Sequence, residues 1–385
     1  MRRRTIFTPV LALAVFLAVF LAFPAFAEDT IRIGAIFAVT GPAATLGLPE
    51  ARTLQMVVDD ANASGGILGK KVELVIKDSQ GNAEKAVSFA KQLVEETPVL
   101  AIIGPTTSGE SMALKGYADQ NEQILISCAA AATIVSPVAK WVFKTPQMDS
   151  FAAQAIFTTM KRLGISRFGA VVSNTGFGQG GKAQLEKLAP QNGLTVAITE
   201  VYDSAATDLT AVLAKVKAQN VQAVVNWSVE PAQSLVPKNM KQMGFDVPLF
   251  QSHGFGNIAF VAAAGKAADG IIFPAGRLLV ADVLPAGHPQ KQLLSAYKKA
   301  YEAKFREDVS TFGGHAYDAF LILAEGIRKA GTTDKYKVRD AIEGLKDLVG
   351  TAGVFNFSPE DHNGLTMDSF EMLTVKNGAF AVYGR

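Results

Sequence analysis

From Ile31 onward, short runs of β-branched and aliphatic residues alternate with amphipathic stretches, and midway along the chain this alternation stops and begins again. The first series reads strand "IRIGAIFAV", helix "LPEARTLQMVVDDANAS", strand "KVELVIKD", helix "AEKAVSFAKQLVEE", strand "VLAIIG", helix "SGESMALKGYADQ" and strand "ILIS". Strands that are apolar on both faces and separated by helices must be covered on both sides. They therefore predict parallel sheets flanked by helices, an α/β fold.

After "FKTPQMDS" the same order returns in "SFAAQAIFTTMKRLG", "RFGAVVSN", "GGKAQLEKLAPQNG", "TVAITEVY" and "DLTAVLAKVKAQN", then in the strands "AVVNWS" and "VPLFQS" with a helix through "PAQSLVPKNMKQMG" between them. A chain of 385 residues exceeds what one core usually supports. Two doubly wound parallel-sheet lobes are expected, with a join near Gln147. Past "GIIFPAGRLL" the pattern changes to long helices, "PQKQLLSAYKKAYEAKF", "GGHAYDAFLILAEGIRKAG" and "KYKVRDAIEGL", which need a sheet to cover. The end, "FEMLTVKNGAFAVYG", reads as a hairpin turning at Asn-Gly. The economical path returns to the first lobe and finishes in the second, with three hinge crossings. The expected lobes are 28–147 plus 277–352 and 148–276 plus 353–385.

The first 27 residues carry a basic "MRRR", a 14-residue apolar run "VLALAVFLAVFLAF" and "AFA" ending at Ala27, the pattern of a cleaved signal peptide. An apolar run of 14 is short for a membrane span. Without Arg2, Arg3 and Arg4 the chain has 34 basic against 35 acidic residues, so no basic surface for nucleic acid is indicated. The single cysteine, Cys128, cannot make an internal disulfide. Export to the periplasm as a monomer held by its cores is the expectation.

Catalytic and metal signatures are sparse. There is no GxSxG and no HExxH, and His253, His288, His315 and His362 lack metal-ligand spacing, so neither a catalytic nor a metal site is expected. "TGFGQGG" matches GxGxxG at Gly176, Gly178 and Gly181, with Glu200 at the next strand end. The favoured reading is a glycine-rich βα turn, not a nicotinamide fingerprint, and no cofactor is expected. In "IIGPTTSGESMA" a strand gives way to a helix at Ser108 or Gly109, where unpaired amides and a hydroxyl suit an anion. Thr107 or Ser108 serves equally well there as a plain N-cap. "LISCAAAAT" exposes backbone after another strand of the same sheet, and open α/β sheets bind ligands at those strand ends.

These loops, together with "IGAIFAVTGPAATLG", "DDANASGGILGKKVELVIKDSQGNAEKAV", "KTPQMDSFAAQA" and "HAYDAFLILAEGI", resemble the branched-chain amino-acid type of solute-binding protein of ABC transporters, with the type I periplasmic-binding fold. The resemblance implies two lobes closing on a small solute that is passed to a membrane permease, with no catalysis. It places Ser108, Ala129, Ala130 and Ala131 at the solute's carboxylate, although Ala131 stands where many members have a Thr hydroxyl. It places Leu46, Phe177 and the stretch from Trp227 to Glu230 along the solute's body.

At His253 the family pattern has Asp or Glu, which pairs with an α-ammonium group. A buried ammonium without an anion is costly, so the expected solute is an acid lacking that group, such as an aromatic carboxylate or a 2-oxo acid. Arg277 is a candidate for added charge. The alternatives are a hydrophobic amino acid whose ammonium goes to Glu230, a sensing domain that feeds a signalling partner, and an oxidoreductase using the glycine motif.

Overall fold

The computed structural model describes residues 30–384, so the expected signal peptide lies outside the described residues. Strands β1 (Ile31–Phe37), β2 (Val72–Asp78), β3 (Ala101–Ile103), β4 (Ile124–Ser127) and β5 (Val142–Lys144) form one sheet in the order β2-β1-β3-β4-β5. Every pairing in it is parallel. Its connecting helices are α1 (Ala44–Ala63), α2 (Ala83–Lys91) and α3 (Ser108–Gln120). Three-residue β5 is too short to stand out in "WVFKTP" and was not among the expected strands.

The chain then builds α4 (Asp149–Arg162), β6 (Arg167–Ser173), α5 (Gly176–Leu188), β7 (Thr195–Tyr202), α6 (Thr210–Lys217), β8 (Ala223–Trp227), α7 (Leu235–Gln242), β9 (Leu249–Gln251), α8 (Ile258–Ala264) and β10 (Ile272–Ala275). After these come α9 (Lys291–Phe305), α10 (Thr311–Ala330), α11 (Lys335–Glu343), the short pair β11 (Leu348–Val349) and β12 (Val354–Phe355), and the hairpin β13 (Glu371–Lys376) and β14 (Ala379–Val382). The second sheet runs β14-β13-β10-β9-β8-β6-β7. Strands β6 to β10 are parallel, and the terminal hairpin adds two antiparallel strands at one edge. The hairpin turns where expected, with Asn377 and Gly378 both at positive φ.

The late helices cover the first sheet. Ala316, Ala319, Leu323 and Ile327 of α10 share a core with Ile33, Ile103 and Phe143, and α11 adds Val338 and Ile342. Phe355, Phe357 and Leu365, which the sequence reading placed beyond 352 in the second lobe, pack in this first core as well. Gln147, the expected join, knits the crossings together. Its Nε2 donates to Ala352 O at 2.8 Å and lies beside Gly276, where an added Cβ would come within 3.2 Å of it.

Two local departures matter for the cleft. Helix α1 starts at Ala44, earlier than "LPEART" suggested, and runs through Pro49. Proline has no N–H to give the carbonyl four residues back. Thr45 O instead accepts Asn257 Nδ2 from the opposite lobe at 2.9 Å. The glycine motif is not a loop but the opening turns of α5. A Cβ at Gly181 would fall 2.2 Å from the Trp227 ring, and one at Gly176 would fall 2.9 Å from Gly109 N across the cleft. Close packing accounts for these glycines, and the favoured reading of a βα turn is corrected to a helix start.

Candidate functional site

The C-terminal ends of β1, β3 and β4 face those of β6, β8 and β9 across the interlobe cleft, where open parallel sheets place ligands. The lobes touch. Leu46, Ala130 and Phe312 belong to elements of the first lobe yet pack in the second core, and Thr311 N donates to Gly256 O at 3.0 Å. An inner cavity of about 30 Å³ is lined by Leu46, Ser108, Ala129, Phe177, His253 and His315, among others. A wider opening of about 290 Å³ shares Ser108, Phe177 and Val229 with it and leads outward past Glu230.

On the first lobe the floor is held by capping and by loop-to-loop bonds. Thr107, not Ser108, is the N-cap of α3, in a capping box with Glu110. That frees the Ser108 hydroxyl, which accepts Ala131 N–H at 3.2 Å and joins the two expected loops. Thr106 Oγ1 accepts Ala38 N–H at 3.0 Å and donates to the buried Glu50 carboxyl, fixing the loop from behind. Among the described residues, the amides of Ser108, Gly109 and Ala130 have no protein acceptor. Those of Ser108 and Gly109 sit at the positive end of α3, an arrangement that stabilises a carboxylate, and that of Ala130 comes from the loop after β4.

Ala129 and Ala130 line the cavity, whereas Ala131 turns aside toward Gly180. Phe177 lines it, with its ring 5.3 Å from that of His253. Trp227 does not. It is fully buried beneath Phe177, ring centroids 5.9 Å apart, so its expected place along the solute's body is corrected to a supporting one. Glu230 lines the outer opening, not the inner cavity, and its carboxylate accepts Ser228 Oγ at 2.6 Å and Val229 N at 3.2 Å. Arg277 is not in the cleft. Its guanidinium donates to Asp368 O at 2.6 Å and Phe370 O at 3.3 Å and stands beside Glu371, tying the hinge.

The residues that sequence reasoning missed surround His253. Its Nε2 lies 3.7 Å from Asp149 Oδ1, and Asp149, the first residue of α4, is fully buried. Both Asp149 oxygens, both His253 nitrogens, His315 Nδ1 and Trp227 Nε1 are buried without a hydrogen-bond partner among the described residues. Behind them the Lys144 ammonium donates to Ala130 O at 2.7 Å and Gln147 O at 3.3 Å. Burial pushes the Asp149 carboxyl up to about 7, against the pull of the Lys144 charge and the Ala132 amide. Burial likewise lowers Lys144 to about 7, opposed by Asp149 and Asp361. Desolvation, with Lys144 nearby, holds His253 well below its ordinary range and His315 down at about 3, so both imidazoles are neutral. The available signal was "KTPQMDS", where a Lys and an Asp flank the hinge.

Two touching α/β lobes, three hinge crossings, and a cleft of unpaired polar groups with helix-terminal amides are the architecture of a solute-binding protein. The chain belongs to the periplasmic binding protein family, whose model matches residues 30–379. It is 27% identical over 317 residues to a leucine-, isoleucine-, valine-, threonine- and alanine-binding protein of Pseudomonas aeruginosa, covering 82% of this chain and 83% of that one. An extracellular ligand-binding receptor of Rhodopseudomonas palustris matches with a TM-score of 0.85 and 29% identity over 91% of this chain and 99% of that one. The branched-chain amino-acid transporter substrate-binding protein LivJ of Streptococcus pneumoniae, solved with isoleucine, matches with a TM-score of 0.80 and 27% identity over 91% and 98%.

Proposed function

We propose that this chain is the periplasmic receptor of an ABC importer and hands its permease a small carboxylate-bearing solute that lacks an α-ammonium group. The carboxylate rests on Ser108 and the free amides of Ser108, Gly109 and Ala130. The body lies against Leu46 and Phe177, and the far end meets His253. We place the lobes at residues 30–147 plus 277–365 and 148–276 plus 370–384, with the third crossing between Leu365 and Phe370. The lobes already touch around this cavity, Thr311 N donating to Gly256 O at 3.0 Å, and capture is taken to involve lobe separation and closure about the crossings.

One observation carries the choice of solute. The carboxylate beside His253 is Asp149, and the buried Lys144 already offsets its charge. Lys144 and Asp149 offset each other, so this carboxyl is not free to take an ammonium. A thermal-shift screen of ligand-stripped protein over aromatic acids, 2-oxo acids, amides and amino acids tests this, because a solute that binds only the folded state raises its melting temperature. Shifts from acids without shifts from amino acids are expected.

A second reading has support of its own. Relatives are named for leucine, isoleucine and valine, and Glu230 lines the same outer opening as Ser108. A hydrophobic amino acid with its carboxylate at Ser108 and its ammonium toward Glu230 would then be the solute.

A further inference from the structure

We propose that Asp149 and His253 form one proton-accepting pair that selects solutes by charge, so that a monoanionic acid is captured together with a proton from solvent. The inference rests on the reading above, in which the solute lacks an ammonium group.

The geometry is unusual for a structural pair. His253 Nε2 and Asp149 Oδ1 are 3.7 Å apart, too far for a settled hydrogen bond, and apart from the Ala132 amide, which pulls on Asp149 without reaching hydrogen-bond geometry, neither side chain has another hydrogen-bond partner among the described residues. Buried polar groups are ordinarily paired, and four such atoms left unpaired, two of them on the cavity-lining His253 and two on Asp149 behind it, mark a place where a ligand or a proton completes the set. The charged and titratable groups that face the pair come from three elements. Lys144 comes from β5 and His315 from α10, and Asp361 acts on Lys144 from the segment after β12. Trp227 of β8 and Phe370 before β13 contribute only rings at 5.7 and 5.6 Å, and α5 presents Gly180.

Counting charge then fixes the sign. The Lys144 cation and the Asp149 carboxylate cancel, and both imidazoles are neutral. A bound monoanion would leave the enclosed cluster at one net negative charge, which burial disfavours. One proton on the pair restores neutrality. It leaves an imidazolium whose Nε2–H can reach Asp149 while the other N–H turns to the solute. Asp149, raised to about 7, and Lys144, lowered to about 7, take up or release protons near neutrality, so the exchange costs little there. A zwitterionic amino acid brings its own cation. It would hold Asp149 ionised and bind with proton release.

The test uses the mature chain with benzoate as probe, titrated calorimetrically in two buffers of different ionisation enthalpy between pH 6 and 9. Uptake of about one proton is expected above pH 7, with Kd rising about tenfold per pH unit there. Asp149→Asn and His253→Gln should each abolish the uptake and flatten the profile, and the uptake by the unaltered protein needs neither variant to fold. Benzoate binding without proton exchange overturns the pair while leaving the acid reading intact. Leucine binding with proton release, or no acid binding at any pH, overturns both.

Discussion

His253 Nε2 stands 3.7 Å from Asp149 Oδ1, with both side chains removed from water. The relationship joins the residue that departs from the family's acidic position to a carboxylate supplied at the first turn of α4. The anion missing at position 253 is thus present one residue away in space, but Lys144 already offsets it.

Replacing His253→Glu therefore adds a second buried carboxylate next to the first. Binding of an acid should weaken at least tenfold, since like charges at this range repel, and leucine should gain affinity. Isothermal titration of the variant and the unaltered protein with both ligands reads the exchange. Unchanged acid affinity would remove position 253 from the specificity determinants.

Gly176 meets Gly109 and Met112 of the opposite lobe, where a Cβ would fall 2.9 Å from Gly109 N and 2.8 Å from Met112 Cε. Gly176→Val should hold the lobes apart. Solute affinity is expected to fall at least tenfold while the ligand-free melting temperature stays within a few degrees. X-ray scattering with saturating solute should show no compaction in the variant. Normal compaction would show that this contact does not limit closure.

Asn257 caps α8 through Oδ1, which accepts Ala259 N–H at 2.9 Å, while Nδ2 reaches the Thr45 carbonyl that Pro49 leaves free. Asn257→Asp keeps the cap and removes the donor, turning an attraction across the cleft into a repulsion. A loss of about 1–2 kcal/mol in binding is expected, mainly as faster solute release. Stopped-flow dissociation rates check it, and an unaltered off-rate would contradict the role of latch.

The architecture was legible because it rests on local periodicity. Each β-branched run that became a strand, and the restart after Gln147, expresses the same need to bury both faces of a sheet. The loops at Ser108 and Ala129 were legible because helix starts and small-residue runs are contiguous in sequence. The cluster of Lys144, Asp149, His253 and His315 was not, because four separate elements converge on it and no spacing records their meeting. Trp227 and Arg277 were misplaced for a related reason. A large ring at a strand end and a cation at a crossing look alike in sequence whether they face a cleft or a core.

Asp318 of α10 accepts Thr351 N at 2.6 Å, Thr351 Oγ1 at 2.9 Å and Ala352 N at 2.8 Å, fastening the helix to the segment that leads toward the third crossing. Burial pushes its carboxyl up to about 7, opposed by these donors. Asp318→Ala leaves three buried donors unpaired and should destabilise the fold by about 3 kcal/mol, read from the urea midpoint at constant m-value. An unshifted midpoint would show that water replaces the carboxylate.

The central claim, that the cleft takes an acid without an α-ammonium group, is tested most directly by titrating unfolded-and-refolded, ligand-free protein with leucine and with benzoate-like and 2-oxo acids side by side at pH 7. Saturable binding of at least one such acid, with leucine weaker by a hundredfold or more, is the predicted result. Micromolar leucine binding with no acid competing for the site would contradict it.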